Sequence, residues 1–169
     1  MPLTAIAFDW GHTLIDERRD REIPLDRRPV CLMPGAAEVL PQLGLPLALW
    51  ANTRIDGEGE VRAWLQRAGL ARWFHWVITS VEAGARKPAP EFFEYALSRC
   101  GLSKGEVLFV GNQLNTDIQG GEGFGIRTVW LSGSSHRSGD DGPSLARATH
   151  TVDTLHSLPA LVRKLHHLK

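Results

Sequence analysis

Six apolar runs punctuate the chain, at residues 3–8, 46–51, 75–79, 107–110, 127–131 and 149–152. Each is short, and most are followed by Gly, Asn, Asp or Ser, so they read as strands that stop at turns. Between them lie stretches with helical spacing. Val61, Trp64, Leu65 and Ala68 recur on one face and Gly69 then ends the pattern. Phe92, Phe93, Ala96, Leu97 and Cys100 form a second such face. Helices are expected to begin near Pro34 and Gly35, near Gly57, at Pro88, near Thr116 and at Leu155, with Pro34 and Pro88 in first-turn positions. Strands alternating with helices predict an α/β fold, a single three-layer Rossmann-like domain with a mostly parallel sheet and helices on both faces.

Two stretches fit neither pattern. Residues 16–29 are dense in charge and poor in apolar side chains, which predicts an exposed flap. Residues 132–143 are rich in Ser and Gly and read as a mobile loop. No repeat and no linker divides the chain, so residues 1–169 are expected to form one domain. Core packing is the expected role of Trp64, Trp73, Trp76 and Trp130.

Charge adds mainly exclusions. Nineteen basic and nineteen acidic residues cancel, which argues against a nucleic-acid partner or an anionic membrane surface. Arg27 and Arg28 read as solvated loop charges, as does Arg86. Cys31 and Cys100 lack metal-ligand spacing, and this usage suits a reducing compartment. No run is long enough to span a bilayer, and the start lacks a signal-like segment, so a cytoplasmic protein is expected.

The chemistry concentrates where the runs end. Phe8-Asp9-Trp10-Gly11-His12-Thr13 sets an acid at the close of the first strand, the edge of an open α/β sheet where ligands bind. A carboxylate there can attack a phosphoryl group and form an acyl phosphate. Taken alone, the segment reads equally as an Asp in a strand-to-loop turn. Ala48-Leu49-Trp50-Ala51-Asn52-Thr53 closes the second run. Arg86-Lys87-Pro88 sets a lysine before a proline, and Val110-Gly111-Asn112-Gln113-Leu114-Asn115-Thr116-Asp117 ends another run in glycine, amide and acid.

In this order and spacing the four segments resemble the motifs of the haloacid dehalogenase-like (HAD) hydrolase superfamily, over nearly the whole chain. The gaps between the motifs are too poor in apolar residues for a second core, so the resemblance is to the capless branch. The stretch 111–121 is also locally similar to capless phosphatidylglycerophosphate phosphatases.

The resemblance implies roles. Asp9 stands at the nucleophile position and Lys87 at that of the cation holding nucleophile and phosphoryl charge together. Lys87 and Asn52 are the implied phosphate-binding residues, and Thr13 the hydroxyl that secures the loop. Asp9, the Gly11 carbonyl, Asn112 and Asp117 are the implied Mg²⁺ ligands. Binding is expected to be weak, because Asn112 replaces a carboxylate that is normally present. Three positions depart from the family pattern. Gly11 replaces the second aspartate, whose acid–base help is worth ~10²–10⁴-fold. Ala51 replaces a Ser or Thr donor whose loss costs ~10²–10³-fold, and Thr53 offers a hydroxyl two residues late. His12 stands where the family has Gly. It reads first as a ring forced into solvent by the turn and second as a substitute acid.

The function expected from these residues is a slow, Mg²⁺-assisted phosphate-monoester phosphatase acting through an aspartyl-phosphate on Asp9. Its partner would be a phosphorylated small molecule or an exposed phosphate on a larger substrate, with a neighbouring subunit of a homo-oligomer able to serve as a lid. The alternative is a catalytically impaired HAD-derived module that binds a phospho-ligand or a protein. A metal-independent dehalogenase-type hydrolase is a third reading, weakened because such enzymes depend on a cap.

Overall fold

The computed structural model describes residues 2–17, 22–134 and 147–167. Six strands form one parallel sheet: β1 Ala5–Phe8, β2 Leu47–Ala51, β3 Phe74–Thr79, β4 Val107–Gly111, β5 Arg127–Leu131 and β6 His150–Val152. Their spatial order is β3-β2-β1-β4-β5-β6. The chain runs outward from β1 through β2 to β3, then returns to the other side of β1 to start β4. That reversal lies between the two central strands, and in open sheets such a switch opens a crevice at the strands' carboxyl ends. Every strand expected from the sequence is present, with ends shifted by no more than two residues.

The strands are buried on both faces because successive side chains point to opposite sides. Ile6, Phe8, Leu47, Leu49, Leu108 and Val110 enter one core with α1 (Ala36–Val39), α2 (Glu58–Arg67) and α6 (Leu158–His167). Ala7, Ala48, Trp50, Val107 and Phe109 enter the second core, against α4 (Pro90–Cys100) and the half-buried Phe124 of α5 (Gln119–Phe124). The result is the three-layer arrangement expected from the sequence. A short helix α3 (Ser80–Ala83) follows β3 and was not signalled by any periodicity.

Several expectations need correction. α4 opens at Pro90, not at Pro88. Pro88 belongs to a turn in which the Ala89 N–H donates to the Arg86 carbonyl (2.8 Å), and the Lys87–Pro88 peptide is cis. Pro34 also precedes its helix, with Gly35 as the N-cap. Near Thr116 the backbone makes a π turn, Leu114–Ile118, before α5. Trp64 is core, Trp73 and Trp76 are half-buried and pack against the two cores, Trp130 is half-buried, and the deepest tryptophans include Trp50, inside a motif.

The segment 16–29 is more than an exposed flap. Residues 18–21 lie outside the described ones, but Leu25 is buried in the first core. Arg67 of α2 donates to the Leu25 carbonyl (2.7 Å). Ile15 bridges to Leu32, and the Asp16 N–H donates to the Cys31 carbonyl (2.9 Å). The segment is therefore tied down at both ends. From residue 135 onward, the loop expected at 132–143 lies outside the described residues. Among the described residues, the chain between the motifs forms core elements and this anchored segment, with no cap domain. No helix among them is long and apolar enough to cross a membrane.

Candidate active site

Asp9 leaves β1 still in register, its N–H donating to the Val110 carbonyl of β4 (2.8 Å). The next residue, Trp10, packs on Trp64 of α2 with ring centroids 5.6 Å apart, which pins the turn. Five residues expected at the site then converge. Lys87 Nζ lies 2.7 Å from Asp9 Oδ1 and 2.8 Å from Asp117 Oδ1. The Thr13 hydroxyl lies 3.1 Å from Asp9 Oδ2 and 3.4 Å from Asn112 Oδ1, so these two oxygens face one donor.

Each partner is fixed by its own local device. The π turn carries Asp117 back toward Gly111, whose missing side chain makes room: a Cβ there would stand 2.5 Å from that of Asp117. The Gln113 N–H donates to Asp117 Oδ2 (3.1 Å). Trp130 Nε1 donates to the Asn112 carbonyl (3.1 Å). Asn52 grips Lys87 by its main chain, accepting from its N–H and donating to its carbonyl, both at 2.9 Å. The amide expected to touch phosphate therefore spans the lysine's backbone.

The electrostatics follow from burial. Lys87 and Asp117 have side chains 1% exposed, whereas Asp9 is 12% exposed and opens to the cleft. Burial disfavours the Lys87 ammonium, but the charges of Asp117 and Asp9 outweigh it and push its pKa above the ordinary value. Asp117 is pushed up to about 6, by burial first and by the Asp9 charge second, against the pull of Lys87. Two buried carboxylates thus share one ammonium, and the excess negative charge invites a cation.

The donor set is consistent with Mg²⁺ as that cation, since it offers the oxygens of Asp9, Asn112 and Asp117 and the Gly11 carbonyl. Only two of these are carboxylates, and among the described residues no cluster of three His, Cys, Asp or Glu side chains forms a metal site.

Of the remaining expected residues, Thr53 lines the cleft with Asp9. Thr53 turns its hydroxyl onto the Asp56 carbonyl (2.6 Å), while its N–H and carbonyl are bracketed by Ser80 Oγ, each at 3.0 Å. Ala51 is packed in the first core. His12 takes a left-handed backbone, φ 58°, and is half-buried rather than solvated.

Around the cleft mouth stand residues that sequence reasoning missed: Glu17, Arg28, Arg54 and Arg86 line it together with Asp9. Arg28 is no solvated charge. Its guanidinium pairs with Glu17 at 2.8 Å and donates to the Ile23 carbonyl. Arg86, though exposed, donates to the Thr53 carbonyl (2.6 Å). No local pattern marks Glu17 and Arg28, because the segment 16–29 reaches the cleft through contacts with distant residues, the burial of Leu25 among them.

Known proteins agree with this architecture. A family model described as HAD-hydrolase-like matches residues 84–158. A ribulose-1,5-bisphosphate 5-phosphatase of Halopiger xanaduensis is 33% identical over 138 residues, 78% of this chain and 56% of that protein. The pyrimidine 5′-nucleotidase YjjG of Escherichia coli is 38% identical over 101 residues, 59% of this chain and 43% of that protein. A crystal structure of an uncharacterized protein from Listeria monocytogenes serotype 4b superposes with a TM-score of 0.81 at 28% identity, covering 96% of this chain and 99% of that one. The chain belongs to the HAD-like hydrolase superfamily. It spans about half the length of the curated relatives it matches.

Proposed function

We propose that this chain hydrolyses phosphate monoesters through an aspartyl-phosphate on Asp9. The observation that carries the reading is the asymmetry of the buried pair: Lys87 holds both carboxylates, and of the two it is Asp9 that opens to the cleft. Asp9 attacks phosphorus, a bond forms from its carboxylate oxygen, and the bond to the ester oxygen breaks. Water then attacks the same phosphorus, releasing inorganic phosphate and regenerating Asp9. Throughout, Lys87 balances the charge that Asp9 and the phosphoryl oxygens bring together. Thr13 orients the Asp9 carboxylate, and Asn52 orients Lys87 through its main chain. Mg²⁺, when held by Asp9, the Gly11 carbonyl, Asn112 and Asp117, would supply further positive charge to the phosphoryl oxygens.

Slow turnover is consistent with Ala51, which offers no hydroxyl, and with the neutral Asn112. Relatives named for bisphosphate, nucleotide and phosphoserine hydrolysis favour a phosphorylated small molecule as substrate. A screen of phosphate esters with and without Mg²⁺ tests the reading. Phosphate release that Mg²⁺ stimulates and Asp9→Asn abolishes is expected. Full activity in Asp9→Asn would overturn it.

A further inference from the structure

The proposed reaction needs a proton for the departing oxygen and a base for the attacking water, and neither Lys87 nor Gly11 provides both. One carboxylate at the cleft mouth is suitably located. Glu17 Oε2 lies 2.5 Å from the point where a Cβ on Gly11 would stand. The carboxylate therefore fills the volume a side chain at position 11 would occupy, and it lines the cleft with Asp9. Its other oxygen, Oε1, is held by Arg28 Nη1 at 2.8 Å, and Arg28 is itself fastened to the Ile23 carbonyl. The side chains of Glu17 and Arg28 are 21% and 13% exposed, so the pair is a shielded part of the cleft wall.

We propose that Glu17 is the general acid–base residue of this site, delivered from the segment 16–29 into the gap left by Gly11, with Arg28 as its positioning residue. The inference rests on the phosphatase reading above. In the first step the Glu17 carboxylic acid gives its proton to the ester oxygen as that oxygen leaves phosphorus for Asp9. In the second, the Glu17 carboxylate takes a proton from the water attacking the aspartyl-phosphate, which restores the acid for the next cycle. Protons and charge balance over the two steps: ester and water become alcohol and phosphate. A consequence for position 11 follows. A side chain at 11 would displace the Glu17 carboxylate from its present position, so the two compete for one volume.

The test uses the full chain with Mg²⁺ and two probes, 4-nitrophenyl phosphate and glycerol 1-phosphate, whose leaving groups differ greatly in basicity. Glu17→Gln is expected to lose ~10²-fold or more of its turnover on glycerol phosphate, where the departing alkoxide needs the proton. On nitrophenyl phosphate the first step needs little protonation, so a burst of nitrophenol stoichiometric with enzyme should precede slow turnover, with phosphoenzyme accumulating. Moving the carboxylate, as Gly11→Asp with Glu17→Ala, should recover ~10-fold or more over Glu17→Gln on glycerol phosphate. Parent-level turnover of glycerol phosphate in Glu17→Gln overturns the proposal. So does an equal loss on both probes with no burst, which is what a purely structural ion pair with Arg28 would give. If Glu17→Gln fails to fold, the relocated carboxylate decides alone: no phosphatase activity in that folded double variant overturns the proposal. A parent whose hydrolysis of either probe is unaffected by Asp9→Asn instead removes the phosphatase reading itself, and the role of Glu17 with it.

Discussion

In the floor of the cleft, the Lys87 ammonium sits 2.7 Å from Asp9 and 2.8 Å from Asp117, nearly sealed from water. Along the rim, Arg54 reaches Glu22 at 4.0 Å with both side chains mostly in solvent. The same kinds of charge do different work in the two regions. In the floor, desolvation makes each charge depend on its partners, so the geometry is rigid and the titration of Asp117 is displaced. At the rim, water screens the pair, which is worth ~0–1 kcal/mol, and the side chains remain free to meet a substrate. The Glu17–Arg28 pair lies between these extremes, shielded but connected to the cleft.

Removing the floor's cation should have the largest effect. Lys87→Met leaves Asp9 and Asp117 buried without their shared ammonium and is expected to cost about 3–5 kcal/mol in urea denaturation, together with all phosphatase turnover. Arg54→Ala at the rim should change stability by less than about 0.5 kcal/mol, and its effect should appear in KM rather than in folding. Equal stability losses in the two variants would erase the distinction between floor and rim.

Asp9→Asn should keep the fold and lower the titration of Asp117 in metal-free protein, because the repelling charge is gone. The sign is set by the raised carboxyl. Its value is about 6 in the folded chain against 3.8 ordinarily, so its stabilisation is present below the ordinary value and is lost as pH rises through about 6. Parent stability should therefore fall across that window more steeply than in Asp9→Asn, with carboxyl-carbon NMR following Asp117 directly. An unmoved Asp117 would mean that burial alone displaces it.

Restoring charge at the third polar position is a smaller test. Asn112→Asp should tighten Mg²⁺ binding in calorimetry, since it adds a third carboxylate to a hard-cation site. Tight binding in the parent, unchanged by the substitution, would count against these ligands.

Glu122, remote from the cleft, provides the mildest contrast. Burial raises its pKa, but hydrogen bonds from the Thr128 and Thr149 hydroxyls and N–H groups outweigh that and lower it below 4.5. Its stabilisation is present above the ordinary value and is lost as pH falls through the lowered one, opposite in sign to Asp117. Glu122→Gln should cost about 1 kcal/mol near neutral pH and lose its effect in acid, as read from melting curves.

The sequence by itself determined the strands, because a strand buried on both faces needs an unbroken apolar run and the run's ends are visible. Residues 127–131 agree at both ends; Asp9 and Asn112 were legible just past strand ends, Lys87 before a proline and Asp117 as the acid that follows Asn112 in the same motif. Pro88 was misread because proline marks a turn as readily as a first helical turn, and Pro90 is the residue with a helix after it. The grip of Asn52 on the Lys87 backbone depends on a partner 35 positions away in the chain. Glu17 carries no local signal at all: it is one acid in a charged stretch until Leu25 buries itself and Arg28 turns the carboxylate toward Gly11. Periodicity is written in neighbouring residues and survives without the fold. The filling of one residue's gap by another's side chain exists only once distant segments have been packed together.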